Sequence, residues 1–259
     1  MISVKELAKY LTSLLAMKEI DTARVDPSMA NGLVIEGTNE VKKIGFGVSA
    51  SLRLFERAKE TSCDVLVVHH SLNFPSASTY DSLFQKRIGF LIKNNLSLFG
   101  YHFLLDAHKE FGNNVQILNI IGAKPSYPYR YRGDPWGWIG FFEKRKTLRS
   151  IVTSMKAYMS RRTVIYPFKS KNITRVVALS GKGAPYAGSM QELLDQEIDL
   201  YITGEVHEWN RELFREAGIS MIAGGHYATE TLGIKSLMEK VGREFSGMEV
   251  VWLDVPNDV

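Results

Sequence analysis

In Asp64-Val65-Leu66-Val67-Val68-His69-His70 an unbroken apolar run, Val65 to Val68, ends in two imidazoles. The run reads as a strand. Similar runs recur: Leu96-Ser97-Leu98-Phe99-Gly100-Tyr101 leads to His102, and Ile219-Ser220-Met221-Ile222-Ala223-Gly224-Gly225 leads to His226. Ligands of open α/β sheets gather at the carboxyl ends of strands, so these ends are expected to carry the site.

Outward from that run the signals alternate. Ser3 and Glu6 form a capping-box pattern ahead of Val4, Leu7, Ala8, Leu11, Leu14 and Leu15, whose spacing predicts an opening helix. Ile44 to Val48 reads as a strand, Leu52 to Thr61 as a helix, Ser82 to Lys93 as a helix and Leu96 to Tyr101 as a strand. This βαβαβ order implies a largely parallel sheet covered by helices. Strands are expected again at Val176 to Ser180, Asp199 to Thr203, Ile219 to Ala223 and Val250 to Leu253.

The halves read as diverged copies. Leu96-Ser97-Leu98-Phe99 with His102-x-x-x-Asp106 parallels Ile219-Ser220-Met221-Ile222 with His226-x-x-x-Glu230. Four residues are about one helical turn, which places His226 and Glu230 on one face if a helix starts at the histidine. The expected architecture is therefore α/β, with two pseudo-symmetric lobes of mostly parallel strands around a central metal cleft. The lobes are expected at 1–123 and 124–259, with a basic linker region over about 124–175.

Composition sets the bounds. The 259 residues are 45% hydrophobic and 23% charged, ordinary values for a globular protein, and no run is long and apolar enough to span a bilayer. Met1 to Leu7 shows no export pattern, so the cytoplasm is the expected location and no membrane partner is expected. Cys63 is the single cysteine, so no internal disulfide can form, and its apolar surroundings favour a small packing residue over a nucleophile.

Imidazole and carboxylate without thiolate suit zinc, iron, manganese, nickel or cobalt. One ion with an open water position takes roughly three or four protein ligands. His69, His70, His102, Asp106, His226 and Glu230 exceed that number, which points to two ions with a carboxylate such as Glu230 between them. A bound divalent ion lowers the pKa of water from about 15.7 to about 7, the basis of hydrolytic chemistry at neutral pH. His102 is read as either a direct ligand or a partner that orients another ligand, with the second reading favoured, and His108 and His207 as structural or surface residues.

These motifs, with Asn31-Gly32-Leu33, Gly112-Asn113-Asn114, Ser180-Gly181-Lys182-Gly183, Ile202-Thr203-Gly204-Glu205 and Gly224-Gly225-His226-Tyr227-Ala228-Thr229-Glu230, resemble the NIF-three-like family, the GTP cyclohydrolase type 2 homologues. The resemblance spans nearly the whole chain. It implies a dinuclear metal centre in an α/β fold that assembles into a toroidal homohexamer. It implies His69, His70, Asp106, His226 and Glu230 as ligands, with Glu230 bridging. Ser71 stands where a proline commonly follows the histidine pair, and Phe103, Leu104 and Leu105 replace the usual small or polar residues before Asp106.

Charge adds a second theme. Lys124 to Arg175 holds thirteen Lys and Arg against Asp134 and Glu143, net +11, which leaves −7 for the rest of a chain of net charge +4. Tyr127, Tyr129, Tyr131, Trp136 and Trp138 interleave this segment, a pattern suited to phosphates and stacked bases, or to a solvated basic face with rings buried at a junction. Gly181-Lys182-Gly183 lacks full P-loop spacing and is a weak phosphate signal. The leading expectation is a divalent-metal-dependent hydrolase acting on a nucleotide-like or phosphate-bearing substrate. The alternatives are a nucleic-acid-binding ring and a metal-binding adaptor whose ions are structural.

Overall fold

The computed structural model describes residues 1–17, 20–74, 79–131 and 133–259, and Arg132 of the basic segment lies outside them. Two compact units are present: Met1–Leu105 with Ile234–Val255, and Asp106–Gly233 with Pro256–Val259.

In the first unit five strands pair in the order Glu249–Trp252, Lys43–Ser49, Val65–His70, Ser97–Gly100 and Gly32–Ile35. The first four are parallel and Gly32–Ile35 runs antiparallel at the edge. Leu66 and Val68 join a core with Leu54, Phe55, Ala58, Leu91 and Leu98, while Val65 and Val67 are equally buried. Alternate residues of a strand point to opposite faces, so a strand covered on both faces must be apolar at every position. That requirement explains the unbroken run before His69.

Helices Leu52–Glu60 and Ser82–Lys93 follow Lys43–Ser49 and Val65–His70 in sequence, capped by Ser51 and Asp81. The opening helix is Val4–Leu14; it has the expected capping box and buries Val4, Leu7 and Leu11.

The second unit repeats the central order. Ile173–Leu179, Leu200–Thr203 and Ser220–Ala223 are parallel neighbours, and Val164–Tyr166 pairs antiparallel with the last. On the other side Asp134–Lys146 and then Lys124–Tyr131 continue the sheet antiparallel. The expected linker is thus corrected: Lys124 to Lys146 is a hairpin built into a six-stranded sheet. Pro125 and Pro128 lie in its outermost strand, the place in a sheet where a residue without an N–H is tolerated. Tyr129 and Ile139 enter one core layer and Phe142 the other, so its aromatic residues are partly structural.

The unit bounds also differ from 1–123 and 124–259. Helix Asn113–Ile121 places Ile117, Leu118 and Ile121 in the second unit's core beside Phe142 and Ile151. Glu249–Trp252 returns to pair with Lys43–Phe46 in the first. Among the described residues no helix is long and apolar enough to cross a membrane.

Candidate metal centre

In the first unit the strands ending at His70 and Gly100 are parallel neighbours, so their carboxyl ends share one edge of the sheet. His69 and His70 close one strand and His102 follows the other, and the three rings meet with centroids 4.8, 4.8 and 5.2 Å apart. One ligand nitrogen of each lies within 4.8 Å of those of the other two. Neighbouring strand residues ordinarily diverge, yet both His69 and His70 enter the cluster.

Each ring is held at Nδ1. His69 Nδ1 stands 3.0 Å from the Tyr101 carbonyl, which can only accept, so Nδ1 carries the proton and Nε2 has the lone pair of the neutral ring. His70 Nδ1 is 3.0 Å from Ser49 Oγ, and His102 Nδ1 is 2.7 Å from Oδ2 of Asp26, a carboxylate only 5% exposed. Asn31 of the Asn31-Gly32-Leu33 motif accepts the His102 main-chain N–H at 3.2 Å. His102 therefore stands in the cluster itself, its ring beside those of His69 and His70.

The second unit gathers carboxylates in the same topological place, at the ends of its three parallel strands. Helix His226–Glu244 begins at His226, and His226 Nε2 lies 3.1 Å from Glu230 Oε1 one turn on. Glu205, which follows Leu200–Thr203, contacts Nδ1 of the same ring. Burial disfavours a charged imidazole here, but Glu230 and Glu205 outweigh it and push the His226 pKa up to about 9. Two carboxylates that favour a proton on this ring favour a metal cation at the same place. Glu230 itself is 2% exposed.

Asp106 is also buried, and its Oδ1 accepts from Asn113 Nδ2 at 2.9 Å and Ser180 Oγ at 3.0 Å. The residue after Ser180, Gly181, has φ +60°, and a Cβ there would come within 2.1 Å of Glu230 Oε1 and 3.1 Å of His226 Nε2. Glycine is therefore required both for the left-handed backbone and for the space. The Gly181 carbonyl receives the N–H groups of Gly204 at 3.0 Å and Glu205 at 2.9 Å. The Gly181-Lys182-Gly183 segment thus packs against the acidic group and does not open a helix, which removes the helix-terminus argument for phosphate binding.

All five expected ligands are buried or half-buried: His69 and His70 close a strand, Asp106 ends the helix Phe103–Asp106, His226 begins a helix and Glu230 lies one turn into it. Imidazoles held at Nδ1 and a carboxylate-flanked imidazole are donor chemistry suited to divalent ions. Asp26 and Glu205 were missed by sequence reasoning; only the carboxylate in Thr203-Gly204-Glu205 stood inside a quoted motif. His108 stacks on Phe111 with centroids 3.6 Å apart and accepts the Glu110 N–H, a local structural role. Cys63 is half-buried, and burial pushes its thiol pKa up.

Comparison with known proteins gives the chain's relatives. The family model for Duf34/NIF3 (NGG1p interacting factor 3) matches residues 2–258. A relative from Archaeoglobus fulgidus named GTP cyclohydrolase 1 type 2 homolog is 39% identical over 230 residues, 88% of this chain and 90% of its own. One of the same name from Pyrococcus abyssi is 37% identical over 229 residues, again 88% and 90%. Among solved structures, the ybgI protein is 27% identical with TM-score 0.86, covering 100% of both chains. A Thermus thermophilus protein is 26% identical with TM-score 0.84, also over 100% of both. With a family model matched over residues 2–258 and relatives up to 39% identical over 88% of its length, the chain belongs to the Duf34/NIF3 family.

Proposed function

We propose that the protein is a cytoplasmic divalent-metal-dependent hydrolase acting on a nucleotide-like or phosphate-bearing substrate, active as a homohexamer. His69, His70, Asp106, His226 and Glu230 are the proposed ligands of two ions, with Glu230 bridging and His102 as a further donor. The observation that carries this reading is the cluster of His69, His70 and His102, whose ligand nitrogens lie within 4.8 Å of one another. Three imidazoles gathered this closely would repel one another as cations, whereas as neutral donors they suit one ion. The name shared by the curated relatives, GTP cyclohydrolase 1 type 2 homolog, supports a nucleotide-like substrate.

The chain's own residues then have distinct tasks. Tyr101, Ser49 and Asp26 fix the three rings of the first unit at Nδ1. Ser180 and Asn113 fix the Asp106 carboxylate through one oxygen, and Glu205 fixes His226. Gly181 leaves the space in which Glu230 and His226 approach each other. Bound divalent ions supply Lewis-acid polarisation and a water acidic enough to ionise near neutral pH.

Elemental analysis of the purified protein beside a His226→Ala, Glu230→Ala double variant tests the site. The expected result is about two equivalents of metal per chain in the wild type, lost in the variant. A screen of nucleotides and phosphoesters then tests the chemistry, with His69→Ala expected to lose turnover and keep its fold. Absence of metal after reconstitution with zinc, manganese, iron and nickel would end this reading.

A further inference from the structure

The two loops that carry site residues of the second unit continue into a group of parallel aromatic rings. Ser180 and Gly181 lead to Tyr186, and Gly204 and Glu205 lead to His207 and Trp209. His207 and Trp209 stack with centroids 4.7 Å apart and planes 16° from parallel. Tyr186 lies 5.9 Å from His207 and 5.8 Å from Trp209, at 25° to each. Tyr186 is nonetheless 47% exposed and Trp209 42% exposed.

The loops beneath the rings are pinned. Asn210, fully buried, donates to the Pro185 carbonyl at 2.8 Å and accepts the His207 N–H at 2.6 Å. The Tyr201 hydroxyl donates to the Gly183 carbonyl at 2.6 Å. Rings held parallel before a ligand arrives have already lost the rotamer freedom that binding would otherwise remove. An aliphatic or lipid partner would meet aliphatic side chains, but these three rings each combine a π-face with a polar edge, the complement of a flat heteroaromatic base.

We propose that Tyr186, His207 and Trp209 form a stacking site for the nucleobase of a nucleotide-like ligand. The claim that this ligand is the substrate rests on the hydrolase reading above; the stacking site itself does not.

Isothermal titration of the intact protein with adenosine, guanosine, cytidine and their 5′-monophosphates tests it. Base stacking on an aromatic side chain leads us to expect affinity for at least one of these bases to fall about 5- to 100-fold in Trp209→Ala and Tyr186→Ala. Trp209→Phe should recover most of it, and Trp252→Phe, remote in sequence, should match the wild type. Circular dichroism melting confirms that each variant is folded. Saturable quenching of tryptophan fluorescence by the same ligand should persist in Trp252→Phe and weaken sharply in Trp209→Phe.

Equal affinities in wild type and Trp209→Ala would overturn the proposal, as would absence of binding to the wild type. A changed oligomer size with unchanged nucleoside affinity would also overturn it, by making the rings a subunit contact. Nucleotide turnover with an unchanged KM in Trp209→Ala would sink the stacking site and leave the hydrolase reading intact. Trp209-dependent nucleoside binding without turnover of any nucleotide would do the reverse.

Discussion

Asp26 and Glu205 illustrate how much of the site depends on residues that hold other residues. Asp26 grips Nδ1 of His102 at 2.7 Å, and Glu205 contacts Nδ1 of His226. A carboxylate behind a ligating imidazole fixes its tautomer and raises its basicity. Asp26→Asn and Glu205→Gln are therefore each expected to lower divalent-metal affinity about 10- to 100-fold, measured by competition with a chromophoric chelator. Unaltered affinity in both would remove the positioning role. The histidines were legible because each terminates an apolar run, whereas Asp26 has no spacing relation to His102, 76 positions away. Such a partner becomes visible only once the backbone has folded. Cys63 gives a residue-scale pH prediction: burial holds its thiol above the ordinary pKa, against a weaker opposing effect of Thr61. The native protein should be alkylated by iodoacetamide more slowly at pH 8 than the denatured chain, with its rate rising only at higher pH. A native rate equal to the denatured one would contradict this.

At the scale of elements, the start of helix Asn113–Ile121 does more than begin a helix. Asn113 is fully buried; its Nδ2 donates to Asp106, and its Oδ1 accepts the Gly233 N–H at 2.7 Å from the helix that begins at His226. Asn113→Ala leaves that buried N–H without this acceptor, a cost of about 1–3 kcal/mol expected in the urea midpoint. The same change should loosen Asp106 and reduce metal content, while Gln116→Ala, outside the buried face of the same helix, should do neither. Helices and parallel strands were legible because burial of both sheet faces forces continuous apolar runs, while the covering helices keep their 3.6-residue spacing. The hairpin Lys124–Lys146 was not. Its prolines and glycines read as a linker, although Pro125 and Pro128 sit on an outer edge and Gly140 lies against Leu118 and the Lys124 carbonyl. Only strand pairing reveals why those residues are tolerated there. The antiparallel edges Gly32–Ile35 and Val164–Tyr166 escaped detection because they are short and partly exposed.

Across the whole molecule, one strand order occurs twice: three parallel strands, then an antiparallel edge strand that precedes all three in sequence. The likeness of the halves in sequence thus has a counterpart in topology. What local pattern could not disclose is where the chain goes back. Ile234–Val255 belongs to the first unit, although it follows the whole of Asp106–Gly233. Strand Glu249–Trp252 covers the edge of Lys43–Ser49, and Leu253 is buried over Gly45, where a Cβ would come within 2.7 Å of the leucine side chain. Ending the chain at Gly247 would bare a row of strand N–H and C=O groups along Ile44 and Phe46 and remove Leu253 from the core, creating both instability and an edge for self-pairing. The shortened chain is expected to show a lower denaturation midpoint and concentration-dependent light scattering. A chain ending at Val255 keeps the strand and loses only the Pro256–Val259 contacts of the second unit, so its midpoint should fall less and its scattering should stay low. If both truncations behave alike, stability does not depend on the returning strand, and the first unit's sheet is complete without it.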